Sequence, residues 1–115
     1  MGMIYMEGAV RGPKGEETVR FLLDTGTDYT LLPHDLWQRI GLEPTRTEDF
    51  RLVDGSRMTR QMSECYITLP DGSTTTPVIL GEPGDEALLG VVTFEEIGQV
   101  FNPFTRRIQK MRLRL

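Results

Sequence analysis

Among the 115 residues, Asp24-Thr25-Gly26 is the group best placed to do chemistry. The apolar run Phe21-Leu22-Leu23 leads into it, so a strand buried on both faces is expected to carry a carboxylate into the interior. Burying that charge is costly unless the group is hydrogen-bonded or shares a proton, and a carboxylate that shares a proton can take one up or give one back. Gly26 lets backbone amides approach the carboxylate closely, and Thr25 supplies a hydroxyl able to anchor the turn. On the tripeptide alone, an Asx-type turn closing a strand is the simpler reading. Other reactive groups are scarce. Cys65 is the only cysteine and His34 the only histidine, so neither a disulfide nor a structural zinc site can be built, and no metal or cofactor is expected. No histidine lies near Cys65 in sequence, so it reads as a small buried hydrophobe. His34, beside Asp35, reads as a surface residue. Asp54 and Asp71 sit in Val53-Asp54-Gly55 and Pro70-Asp71-Gly72, without a buried strand before them, and read as hairpin turns.

Short strands must position these groups. Met3 to Val10 and Glu17 to Leu23 read as two strands around Gly12-Pro13-Lys14-Gly15. Tyr29 to Leu32 is a second apolar patch. Pro33 then opens a short helix that buries Leu36, Trp37 and Ile40 and stops at Gly41. Asp54-Gly55 signals a tight two-residue hairpin with arms at Phe50 to Val53 and from Ser56 onward. The long second arm, Arg57 to Leu69, puts Cys65, Ile67 and Leu69 on one face. Thr74 to Leu80 is a strand in which Pro77 argues for an edge or a bulge, and Gly81 to Glu86 is an acidic loop. After Ala87-Leu88-Leu89, a short apolar strand, Thr93-Phe94-Glu95-Glu96 fits a capping box opening a second helix that stops at Gly98. Phe21 to Gly41 and Ala87 to Gly98 echo each other as strand, glycine turn, helix, Ile-Gly. The chain reads as all-β with two short helices.

Length fits a single domain spanning residues 1–115. Hydrophobic residues make up 38% and charged residues 26% of the chain, a globular composition. No apolar run approaches the roughly 20 residues of a membrane helix, and no basic stretch precedes the apolar residues at the N-terminus, so no membrane contact and a cytoplasmic location are expected. The formal charge is −4, but the last eleven residues hold five cations and no acid. That tail reads as an edge strand, Met111, Leu113 and Leu115 alternating with Lys110, Arg112 and Arg114. No aromatic is interleaved for base stacking, so nucleic acid is not an expected partner.

Phe21-Leu-Leu-Asp-Thr-Gly-Thr-Asp-Tyr-Thr-Leu-Leu32 closely resembles the active-site segment of retroviral-type aspartic proteases, the retropepsins. In that family two apolar residues precede Asp-Thr-Gly, a small residue follows, and a threonine stands six places after the aspartate; here these are Leu22, Leu23, Thr27 and Thr30. Asp54-Gly55-Ser56 matches the mid-chain flap, and Leu88-Leu89-Gly90 with Thr93 to Ile97 matches the late strand and helix. The resemblance runs from about Thr18 to Thr105. It implies an acid-protease barrel with one lobe per chain, Asp24, Thr25 and Gly26 as the catalytic segment, and Thr27, Asp28, Asp54, Gly55 and Ser56 against substrate. Viral members follow the late glycine with an arginine that pairs with the acid at the place of Asp28. Val91 stands there instead, which is closer to the cellular and prokaryotic retropepsin-like proteins.

The family's chemistry needs two carboxylates sharing one proton. With one Asp-Thr-Gly per chain, the resemblance implies a homodimer that brings two copies of Asp24 together on a peptide or protein substrate. Two other readings stand beside it. Val91, and a flap carrying Arg57 and Arg60 around a single-glycine tip, suit a retropepsin-like module that binds peptides with little or no turnover. A small barrel binding nucleic acid through its basic tail is the third.

Overall fold

The computed structural model describes residues 3–112 and 115. Strands β1 (Tyr5–Gly12) and β2 (Gly15–Leu23) pair in continuous register around Pro13-Lys14. They are followed by β3 (Thr30–Leu32), α1 (His34–Arg39), β4 (Arg46–Arg51), β5 (Arg57–Leu69), β6 (Gly72–Leu80), β7 (Leu88–Leu89) and α2 (Val91–Glu96). A separate two-stranded sheet, β8 (Gln99–Asn102) with β9 (Arg107–Lys110), ends the described chain. The main sheet runs β1-β2-β7-β3-β6-β5-β4, and β1 also pairs with β5, so the sheet returns on itself. No helix among the described residues is long and apolar enough to cross a membrane.

Alternation along β5 puts Cys65, Ile67 and Leu69 into the main core with Val10, Phe21 and Leu89. Burying each large apolar side chain contributes about 1.5–3 kcal/mol. A smaller cluster on the other face joins Leu31, Met62 and Ile79, with Tyr29, Phe50 and Leu88 packed against it. Pro33 directly precedes the first residue of α1, and Gly41, at φ 82°, ends that helix. There the Gly41 and Leu42 N–H groups return to the carbonyls of Gln38 and Trp37, closing the orphaned last turn.

The echo read from the sequence is structural. Leu22 and Leu23 pair in parallel with Leu88 and Leu89, and Ile79 and Leu80 pair in parallel with Leu31 and Leu32. Asp24 N–H donates to the Leu89 carbonyl (3.2 Å), while Gly81 N–H donates to that of Leu32 (2.8 Å). Ile40-Gly41 and Ile97-Gly98 end the two helices, with both glycines left-handed. Every equivalent pair is 57 residues apart (97 − 40). This corrects the strand alignment expected from sequence: Ala87 to Leu89 corresponds to Thr30 to Leu32, and Gly81 occupies the place of Asp24. Short apolar strands look alike in one dimension, and only the helices were in register.

Three local expectations also change. The β5–β6 register is continuous, so Pro77 causes no bulge. It sits one residue before β6 begins to pair with β3 at Val78, where its missing N–H costs no ladder bond on that side. The basic terminal strand is β9, ending at Lys110. Met111 and Arg112 lie beyond it, and Leu113 and Arg114 lie outside the described residues.

Helix α2 begins at Val91, two residues before the expected start, with Gly90 as its cap and no side-chain cap. Thr93 is fully buried and its hydroxyl serves elsewhere. Gly90 N–H donates to Thr30 Oγ1 (3.0 Å), Thr30 and Thr93 hydroxyls lie 2.6 Å apart, and those of Thr93 and Thr76 lie 3.2 Å apart. Thr76 donates to Glu96 Oε1. Each hydroxyl has one proton, so the protons run in one direction, from Thr30 through Thr93 and Thr76 to Glu96. Thr93→Val keeps the shape but strands the Thr30 proton, and should lower stability by about 1–3 kcal/mol in chemical denaturation. An unchanged midpoint would show that the hydroxyl relay contributes nothing.

Candidate active site

Asp24 follows directly on β2 and is held by its own loop. Gly26 N–H donates to its Oδ1 (3.0 Å), and Thr27 Oγ1 donates to its Oδ2 (2.8 Å). Thr27 N–H also donates to the Asp24 carbonyl (3.1 Å). A Cβ on Gly26 would stand 3.3 Å from Asp24 Oδ1, so a side chain there would crowd the carboxylate. The hydroxyl that anchors the turn is therefore that of Thr27. Thr25, expected in that role, is exposed and makes no hydrogen bond among the described residues. Its different position follows from the turn: the chain doubles back after Gly26, bringing the third residue past Asp24 under the carboxylate.

The loop is in turn clasped by α2. Val91 and Val92 donate their N–H groups to the carbonyls of Thr27 and Asp28, both at 3.0 Å. These bonds satisfy helix-end donors that no side chain caps. Gly90 makes the approach possible: a Cβ there would stand 2.4 Å from the Tyr29 carbonyl carbon and 2.6 Å from the Asp28 oxygen. Gly90 was matched from sequence as part of the late strand, whereas the supporting roles of Thr93 and Thr76 were missed. Thr93 carried a helix-start signal that concealed its buried role.

Asp24 is only half-buried, as are Leu22 and Leu23, which corrects the expected burial of this strand end on both faces. Their open side is a cleft of about 360 Å³, lined by Met3, Ile4, Leu22, Leu23, Asp24, Thr25, Phe101 and Arg106. Asp28 is exposed and makes no side-chain hydrogen bond or ion pair among the described residues. Val91, at the place where the resemblance would put an arginine, spends its backbone N–H on the loop.

Asp54, Gly55 and Ser56 lie at the tip of the β4–β5 hairpin, with no hydrogen bond to the Asp24 loop among the described residues. The tip is not the expected two-residue turn. Leu52 N–H donates to the Ser56 carbonyl and Gly55 N–H to that of Leu52, so Val53, Asp54 and Gly55 form a three-residue loop with Gly55 at φ 88°. A residue in that left-handed position is what a three-residue hairpin loop requires. Asp54 Oδ1 accepts from the Ser56 hydroxyl (2.6 Å) and amide (2.9 Å).

A family model described as aspartyl protease matches residues 6–92, a stretch that holds both the Asp24 loop and its clasp at Gly90 to Val92. This chain belongs to the aspartyl protease family. The matched segment leaves out the β8–β9 sheet. Among solved structures it is similar to the protease of simian foamy virus (mac), determined in solution, at 15% identity and a TM-score of 0.58. That match covers 80% of this chain and 92% of the viral one, and it shows a retropepsin fold. No curated protein sequence matches the chain.

Two titrations check this geometry. The Ser56 hydroxyl, and then its amide, hold Asp54 below its ordinary 3.8. These bonds are therefore in force above that value and are lost as pH falls through the lowered one. Ser56→Ala should move the Asp54 carboxyl titration upward, measured by NMR; an unmoved titration would contradict the turn geometry. Burial pushes the Cys65 thiol up to about 11. At pH 8 it should resist thiol reagents in the folded protein and react on unfolding, and fast labelling of the native state would contradict its packing.

Proposed function

We propose that this chain hydrolyses peptide bonds as an aspartic endopeptidase whose site is completed by a second copy. The observation that carries the reading is the Asp24 carboxylate itself. It is fixed by an amide and a hydroxyl of its own loop and stands half-exposed at an apolar cleft. One such carboxylate per chain is half of a proton-sharing pair, and a twofold axis beside Asp24 supplies the other half.

In the proposed reaction one Asp24 carboxylate takes a proton from a water between the two. The water oxygen attacks the scissile carbonyl carbon while the other Asp24, protonated, donates to the carbonyl oxygen. Collapse of the resulting diol breaks the C–N bond as the amine receives a proton and the second carboxyl recovers its own. Thr27 and Asp28 border the substrate, and the β4–β5 hairpin, with Asp54, Gly55 and Ser56 at its tip, serves as a lid that admits a chain and then excludes water.

Asp24→Asn keeps the shape of the site and removes the base. Cleavage of a peptide library should fall at least about a thousandfold, consistent with the loss of an essential group, and pepstatin should inhibit the parent. Parent activity should trace a bell against pH, because only the singly protonated pair works. Equal cleavage by parent and variant would remove the enzymatic reading. If neither cleaves but both bind extended peptides, the binding-module reading suggested by Val91 replaces it.

A further inference from the structure

The β4–β5 hairpin is tied to the body of the protein in an uneven way. Strand β4 is the last in the sheet and pairs only with β5. Strand β5 meets β6 from Met62 onward and β1 at residues 66–68, so residues 57–61 have only β4 beside them. Outward from Met62 the hairpin is a two-stranded ribbon, a form only marginally stable alone. Among the described residues, one side-chain ion pair links that ribbon to anything else: Arg60 Nη2 to Asp85 Oδ2, at 2.5 Å. Beyond it, Phe50 packs against the cluster of Leu31, Met62 and Ile79 and stands edge-on to Tyr29 (6.2 Å), and the Arg46 guanidinium lies 6.0 Å from the same ring.

The partner loop is firmly held. The same Asp85 oxygen accepts from Glu82 N–H (2.8 Å), and Asp85 N–H donates to the Glu82 carbonyl (3.0 Å), closing a tight turn. Gly81, at the start of this loop, is bonded to Leu32 and receives the Trp37 indole N–H (2.9 Å). The loop then runs into Leu88–Leu89, which pairs with Leu22 and Leu23 immediately before Asp24. The ion pair thus joins the base of the ribbon to the strand that borders the candidate catalytic residue.

The two partners are unequally buried. The Arg60 side chain is 12% exposed and its Nε has no acceptor, while that of Asp85 is 32% exposed and keeps a second donor in Glu82. Breaking a shielded pair from one side costs most when the better-buried charge is left behind.

We infer that Arg60 is a positioning residue, its bond to Asp85 a latch that fixes the hinge of the lid near Met62 and limits its opening to the residues beyond. This rests on the proposed lid role of the hairpin, which deepens here to a named hinge. Amide exchange of the free protein tests the latch without any cleavage assay. In Arg60→Met, exchange at residues 46–60 should quicken at least tenfold while β1 and β2 keep the parent rates. Arg60→Lys should recover part of the protection. Asp85→Asn should loosen the ribbon more than Arg60→Met, because it strands the more deeply buried charge. Unchanged exchange in the ribbon, equal acceleration through β1 and β2, or a larger effect from Arg60→Met would each overturn the latch. With a cleaved peptide, Arg60→Met should raise KM severalfold and leave kcat within about twofold, as expected when binding contacts are lost uniformly; a loss confined to kcat would overturn the positioning role. If the parent cleaves nothing while the exchange pattern appears as stated, the latch stands and the protease reading alone fails.

Discussion

The clasp between the Asp24 loop and the start of α2 connects the two halves of the chain and, through them, the candidate site. Three backbone donors from consecutive residues, Gly90, Val91 and Val92, reach across to Thr30, Thr27 and Asp28. Helix-end amides need acceptors, and a loop that holds a carboxylate needs rigidity. Each requirement is met by the other. The contact demands a residue without a side chain at 90, and it demands that Thr30 and Thr93 bury their hydroxyls together. Remove the clasp, and Asp24 keeps its two local hydrogen bonds but loses the frame that aims them.

The internal twofold bears on the proposed need for a second copy. Two parallel pairings, one at each crossing strand, repeat the same local arrangement 57 residues apart (80 − 23). In the first half the position after the crossing strand is Asp24; in the second it is Gly81, whose carbonyl takes the Trp37 indole. The chain therefore contains the scaffold for two equivalent loops and a carboxylate directly after the crossing strand in only one of them. Asp85, in the second loop, is the counterpart of Asp28 and is engaged by Arg60. On the proposed reading one loop serves the chemistry and the other holds the hairpin in place.

Much of this was legible before any coordinates. Alternation around clear turns gave β1, β2, β5 and β6, and proline and glycine bounded α1. Asp24, Gly26 and the threonine six places on marked the candidate site, in which Gly26 bonds the Asp24 carboxylate and Thr30 accepts from Gly90. What the residues could not reveal were three-dimensional exchanges of partners. Thr93 satisfies a local rule for starting a helix, yet buried hydroxyls from β3 and β6 compete for it and win. Asp54-Gly55 satisfies the rule for a two-residue turn, but the backbone bonds from Leu52 to Ser56 and from Gly55 to Leu52 close a loop one residue longer. Leu22 and Leu23 read as core and stand half-open, because their other face borders the cleft at Asp24. Thr25 was singled out where Thr27 does the bonding, since the direction of a turn is not written in its composition.

On the proposed reading one chain carries half of a catalytic site. The most direct measurement mixes parent protein with Asp24→Asn protein at constant total concentration, lets subunits exchange fully, and follows peptide cleavage against the parent fraction. If both carboxylates are required, mixed pairs are inactive and the rate falls as the square of the parent fraction. A rate that falls in simple proportion to the parent fraction would mean that each chain works alone, and would contradict the account.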